Sequence, residues 1–144
     1  MKLLTLFTLA LVLVLTGCGK GKTMDTVSST FTTLTEKQEF LECYVKFRRS
    51  YDDLHFDLSY IDGGSGMVPG PTKWDVRVFA TVPVGEIDQW VDGFSITLDP
   101  ELDWVSGIPT APADVSSYEW YEGDRVIVGI DRERRSVLYW NHAN

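Results

Sequence analysis

Two segments alternate apolar and polar residues without a break, and this period of two constrains the fold more than any other feature of the chain. The first is Leu54-His55-Phe56-Asp57-Leu58-Ser59-Tyr60; the second is Trp74-Asp75-Val76-Arg77-Val78, whose inward set continues through Ala80 and Val82. Successive side chains of a strand point to opposite faces, so each segment reads as a strand with one face on a core. The stretch between them, IDGGSGMVPGPTK, is too long and too rich in Gly and Pro for a tight hairpin turn. Its Gly63-Gly64-Ser65-Gly66 lacks the Gly-Lys-Ser/Thr ending and following helix of a phosphate-binding loop, so it reads as a flexible rim that could form a binding lip. Near the other end, Arg125-Val126-Ile127-Val128-Gly129-Ile130 and Ser136-Val137-Leu138-Tyr139-Trp140 flank the charged run Asp131 to Arg135, as in an exposed hairpin. Tyr118 to Tyr121 can add an edge, and Ser95-Ile96-Thr97-Leu98 reads as a brief strand.

Helical spacing governs the remainder. TEKQEFLECYVKFRRSY places Phe40, Phe47 and Tyr51 on one face, which Leu41, Tyr44 and Val45 broaden. Thr35-Glu36-Lys37-Gln38 has the capping-box form, and Arg48 and Arg49 suit the negative end of a helix. In VGEIDQWVDGF, residues Ile87, Trp90, Val91 and Phe94 fall at i, i+3, i+4 and i+7 before Gly93 closes a short second helix. The expected class is therefore α+β: an N-terminal amphipathic helix packed across a four- or five-stranded, mainly antiparallel sheet, with a short second helix.

The first eighteen residues follow another logic. Lys2 precedes an unbroken run of apolar residues and threonines from Leu3 to Leu15. A membrane-spanning helix needs about 20 apolar residues, whereas a secretory core takes roughly 7 to 15. The run ends in Leu15-Thr16-Gly17-Cys18, which resembles the lipobox of bacterial lipoproteins in all four positions. That resemblance implies a diacylglyceryl thioether on Cys18, cleavage between Gly17 and Cys18, and acylation of the new amino terminus. Two or three acyl chains hold stably where one is marginal, at ~0.8 kcal/mol per buried CH₂. Gly19 is not the aspartate of an inner-membrane retention signal, so the resemblance implies an outer-membrane protein facing the periplasm. The expected organisation is a cleaved leader at 1–17, a lipidated Cys18 with a tether to residue 35, and one globular domain at 36–144. A flexible tether of this length spans on the order of 20 Å.

Composition matters for partners. The formal charge is −8, and loss of Lys2 with the leader makes it −9. Nucleic acid is not expected as a partner, because phosphate contacts require a basic surface. Hydrophobic residues make up 44% of the chain, enough for a packed core. With Cys18 lipidated, Cys43 would stand alone; inside the helical pattern it reads as a small core residue, since a nucleophile needs a base and the closest histidine in sequence is His55. His55 falls on a strand and His142 in the C-terminal tail, without a second ligand at metal spacing, so no metal or other cofactor is expected. No Gly-x-Ser-x-Gly elbow occurs.

One segment departs from an ordinary domain. Residues 78 to 124 contain ten acids and no Lys or Arg, interleaved with Trp90, Trp104, Trp120 and Tyr121. Acids around aromatic anchors suit a surface on which a basic protein docks, charge steering the encounter and rings supplying affinity. Asp99, Glu101, Asp103, Trp104, Glu119, Trp120 and Glu122 are the candidate binding residues; the plainer alternative puts the tryptophans in the core and leaves the acids as solvated surface. Function classes follow from this. The leading expectation is a non-enzymatic binder of a basic envelope protein, similar in size, anchoring and charge to lipoprotein immunity factors and inhibitors. A glycan- or peptidoglycan-contacting module with exposed Trp104 or Trp120 is the second, and a hydrolase using Asp99, Glu101 or Asp103 the third.

Overall fold

The computed structural model describes residues 24–45, 49–63, 70 and 72–143. The leader, Cys18, the start of the tether, Phe47, Arg48 and the 64–66 part of the glycine run lie outside the described residues.

Among the described residues, seven strands form a single antiparallel sheet: β1 Met24–Val27, β2 Asp53–Ile61, β3 Lys73–Thr81, β4 Ser95–Ile96, β5 Glu119–Gly123, β6 Val126–Asp131 and β7 Ser136–Ala143. Their order is β1-β2-β3-β7-β6-β5-β4, so β7 inserts between β3 and β6. The alternating segments do form β2 and β3, paired Leu54 to Ala80, Phe56 to Val78 and Leu58 to Val76. That register gathers the inward set on one face, where Val137 and Tyr139 of β7 and Val126, Val128 and Ile130 of β6 complete the main core. The opposite face is also covered, over β5, β6 and β7, by a second cluster around Trp104, Ile108, Trp120 and Trp140. Burial on both faces explains why β6 reads as a continuous apolar run without alternation.

The strand count of seven exceeds the expected four or five. β1 lies in the stretch read as tether: Met24 pairs with Tyr60 and Val27 with Asp57. The fold thus includes residues 24–35, which sequence composition alone had assigned to the linker. β7 runs on through Asn141, His142 and Ala143, so His142 sits opposite Asp75 on a strand and not in a tail.

The helices are shorter than their patterns suggest. α1 covers Leu34–Leu41, capped by Thr33 rather than Thr35. Thr33 Oγ1 accepts from the Glu36 N–H at 3.2 Å, while the Glu36 carboxylate accepts from the N–H groups of Thr32 and Thr33 at 3.0 and 2.9 Å. A charged acceptor serving two unpartnered N–H groups outcompetes the neutral Gln38. After Leu41 the chain continues in turns to Val45, and α1 packs on β2, Phe40 stacking on Phe56 at 5.9 Å, without crossing the sheet. The second helix is a single 3₁₀ turn, Ile87–Trp90. Gly85 and Gly93, both at positive φ, bracket it and leave no length for an α-helix. Its Trp90 is fully buried against Tyr51 and Tyr139, with the Arg49 guanidinium 5.1 Å from the ring centroid.

Cys43 also departs from expectation. It is half-buried and disulfide-bonded, not a core thiol. Its Sγ lies 3.2 Å from the Glu39 carbonyl oxygen, a close contact, since a disulfide sulfur carries no proton to donate.

Candidate functional site

The acidic segment folds around its tryptophans and keeps them dry. A 3₁₀ turn at Asp103–Gly107 lays Trp104 on the sheet face opposite α1. Trp104 Nε1 donates to the Glu101 carbonyl at 2.7 Å, which satisfies its polar edge. Its ring stands perpendicular to Trp120 at 6.2 Å and stacks on Trp140 at 5.6 Å. Tyr118 stacks on Trp120 from the other side, at 5.8 Å. Trp104 and Trp120 are 4% and 8% exposed. The expectation that they face a partner or a sugar is therefore corrected: both rings are spent on the second core, and neither offers a face for stacking.

The acids behave differently. Asp99, Glu101, Asp103, Glu122 and Asp124 are exposed, and none has an ion-pair partner among the described residues. Glu119 is exposed too, but Arg132 engages it while also bonding Asp88 at 2.8 Å. The Arg132 guanidinium, helped by the Tyr121 hydroxyl, holds the Glu119 carboxyl below its usual range. Glu119 is thus neutralised within the fold.

These acids lie close to β4 in sequence or across its register. This strand ends the sheet among the described residues and pairs only with β5, Ser95 to Glu122 and Ile96 to Tyr121. The Thr97 N–H donates to the Trp120 carbonyl at 3.0 Å. Backbone groups alternate in direction along an antiparallel strand, so those of Ile96 point out of the sheet. Side chains at this edge are unusually bare, with Ile96 70% and Leu98 96% exposed. Glu122 is the register partner of Ser95 and Asp124 follows β5, while Asp99, Glu101 and Asp103 follow β4 along the chain.

A second feature lies at the far end of the main core. Cys43, Tyr44, Val45, Tyr60, Thr72, Trp74 and Asn141 surround a cleft of about 340 Å³ floored by Leu58 and Val76. Register places Tyr60 directly across from Trp74, and the Tyr44 and Tyr60 rings meet at 5.3 Å. Trp74 Nε1 donates to Asn141 Oδ1 at 2.9 Å, and Asn141 Nδ2 donates to the Tyr139 hydroxyl at 3.1 Å. None of Asp99, Glu101 and Asp103 lines this cleft.

The open half of the other face carries a charged network. Asp75 accepts two hydrogen bonds from Arg77, at 2.9 and 2.8 Å, and a third from Trp140 Nε1 at 3.1 Å. Asp57 lies 4.0 Å from Arg77; burial pushes its carboxyl up, partly offset by that guanidinium. A Cβ on Gly107 would fall 2.5 Å from Arg77 Nη1, so the glycine lets the 103–107 turn close onto this pair. The network docks the turn onto β3. Among the described residues, no three His, Cys, Asp or Glu side chains converge as metal ligands.

The cleft residues escape a sequence reading, since they come from positions 43–45, 58–60, 72–76 and 141. Their one advance signal is Tyr60 and Trp74, bulky aromatics at the frayed ends of otherwise aliphatic alternations. No family model, curated protein or solved structure matches this chain.

Proposed function

We propose that this chain is a lipid-anchored, non-enzymatic envelope protein that binds a basic protein partner at the β4 edge of its sheet, in the manner of an inhibitor or immunity-type lipoprotein. The observation that carries the reading is the β4 edge, where exposed Ile96 and Leu98 lie in a stretch of acids that no basic side chain among the described residues neutralises. Carboxylates draw a cationic surface in and suppress pairing between two copies of this edge, because like charges would meet. Backbone groups of Ile96 and the two apolar side chains then supply short-range contact, as in strand addition to a sheet edge.

The anchor in this proposal is Cys18, acylated after cleavage at Gly17. The chain has two cysteines, so a Cys43 disulfide within one chain uses the same sulfur that a Cys18 thioether needs. The two states are alternatives, and the lipidated mature chain contains no intramolecular disulfide. Intact mass of the membrane-fraction protein separates them. A chain starting at Cys18 with added diacylglycerol and acyl mass supports the anchor, while an unacylated chain two hydrogens light overturns it.

Partner binding is tested by affinity capture from solubilised envelope with the mature chain, at low and high salt. A stoichiometric basic protein released by salt is the expected result. Equal capture by a variant with Asp99, Glu101, Asp103 and Glu122 neutralised would overturn the reading.

A further inference from the structure

We propose that the Tyr44–Tyr60–Trp74–Asn141 cleft is a binding site for a saccharide ring carrying a carboxylate, with Arg125 at its rim as the anion contact. This site is separate from the β4 edge and stands whether or not a protein binds there. Volume is the first constraint: about 340 Å³ is at the small end of ligand sites, room for a ligand of one or two rings. Its lining is the second. Three aromatic side chains and the aliphatic floor of Leu58 and Val76 suit the apolar face of a sugar, while Asn141, Thr72 and the Tyr60 hydroxyl sit where ring hydroxyls need partners. The Asn141 amide is oriented by its bonds to Trp74 and Tyr139, and it keeps one N–H free after donating to Tyr139. Among the described residues no charged side chain lines the cleft itself, which suits a neutral ring portion of the ligand.

Arg125 supplies the charge. Its guanidinium carbon lies 6.0 Å from the Trp74 ring centroid, and among the described residues it has no carboxylate partner. The backbone holds it there at a cost: φ is +59°, a left-handed conformation that disfavours residues with a Cβ. The Arg125 carbonyl accepts from the His142 N–H at 3.1 Å, which fixes the turn beside β7 and hence beside Asn141. A ring seated on Trp74 would bring an attached carboxylate within reach of the guanidinium, whose planar fork matches it.

The experiment is isothermal titration of the full mature chain with N-acetylmuramic acid and, separately, N-acetylglucosamine, followed by Trp fluorescence. N-Acetylmuramic acid binding about tenfold tighter than its neutral counterpart is expected. Arg125→Gln should remove that preference while sparing the neutral sugar, and Trp74→Leu should abolish both. If neither sugar binds, or if the two bind equally and Arg125→Gln changes nothing, the proposal fails. A circular-dichroism melt of each variant checks folding, and Tyr60→Ala, at the partly exposed end of β2, is the second probe if Trp74→Leu does not fold.

Discussion

Trp120 lies flat across Gly129: the two residues are register partners on β5 and β6, and a Cβ built on Gly129 would fall 2.6 Å from the Trp120 ring. Space, not backbone freedom, is why residue 129 lacks a side chain. The indole occupies the volume that any other residue would claim, and this locks Trp120 between Trp104 and Tyr118. Gly129→Ala should therefore overpack the second core and cost about 1–3 kcal/mol. Trp120→Ala should cost about 3–5 kcal/mol by opening a cavity. Urea unfolding of both variants is the check, and a Gly129→Ala midpoint at or above the parent value would contradict this packing.

That pair also shows where the sequence was legible and where it was not. Leu54 to Tyr60 and Trp74 to Val82 announced β2 and β3 because one face is buried and the other is not, so period-two hydrophobicity survives in the residues themselves. β6 was recognisable by its apolar run. β1 was not, since Met-Asp-Thr-Val carries no pattern strong enough alone and becomes a strand by pairing with β2. Trp104 and Trp120 left two readings open, binding anchor or core, because acids stand beside them in sequence; both are core, and for Trp120 a glycine across the sheet makes the room. The cleft at Tyr60, Trp74 and Asn141 is a product of register between distant strands, which no local window contains.

The start of α1 gives a second prediction. Three threonines, at 32, 33 and 35, compete as cap, and the Glu36 carboxylate settles the choice by accepting from two backbone N–H groups. Those bonds hold the Glu36 carboxyl below its ordinary range. Thr33→Ala should lower stability by about 1 kcal/mol, and Thr35→Ala should change it by no more than about 0.5 kcal/mol. Equal losses from the two would restore the cap to Thr35.

Asp131 sets an acid limit on stability. It is buried at the end of β6, which pushes its carboxyl up. Hydrogen bonds from Ser117 Oγ at 2.6 Å and the Arg134 N–H at 3.0 Å, with the Arg134 guanidinium at 3.6 Å, outweigh burial and leave it lowered. A carboxyl held lower in the folded than in the unfolded chain stabilises fully above the unfolded value, about 3.9, and the gain disappears as pH falls below it. Urea midpoints should therefore be flat in this contribution from pH 7 to about pH 5 and drop below about pH 4. Asp131→Asn should lose about 1.5–3 kcal/mol at pH 7, with a shallower acid drop than the parent. Parallel pH profiles for the two proteins would remove Asp131 from this role.

Asp99, Glu101 and Asp103 make the last prediction, because they separate binding from folding cleanly. All three are exposed and without an ion-pair partner among the described residues, so replacing them with Asn, Gln and Asn should move stability by no more than about 0.5 kcal/mol each. Their effect on a basic partner should be kinetic. Charges at the rim of an interface act through the on-rate and are screened within about 8 Å at physiological ionic strength. The triple variant should therefore associate several-fold more slowly at low salt, dissociate at nearly the parent rate, and converge with the parent as salt rises. Ile96→Ser with Leu98→Ser should do the reverse, quickening dissociation at every salt concentration. Surface plasmon resonance on the captured partner distinguishes these patterns: if the acidic variant instead changes only the off-rate, independently of salt, the carboxylates make direct bonds and do not steer.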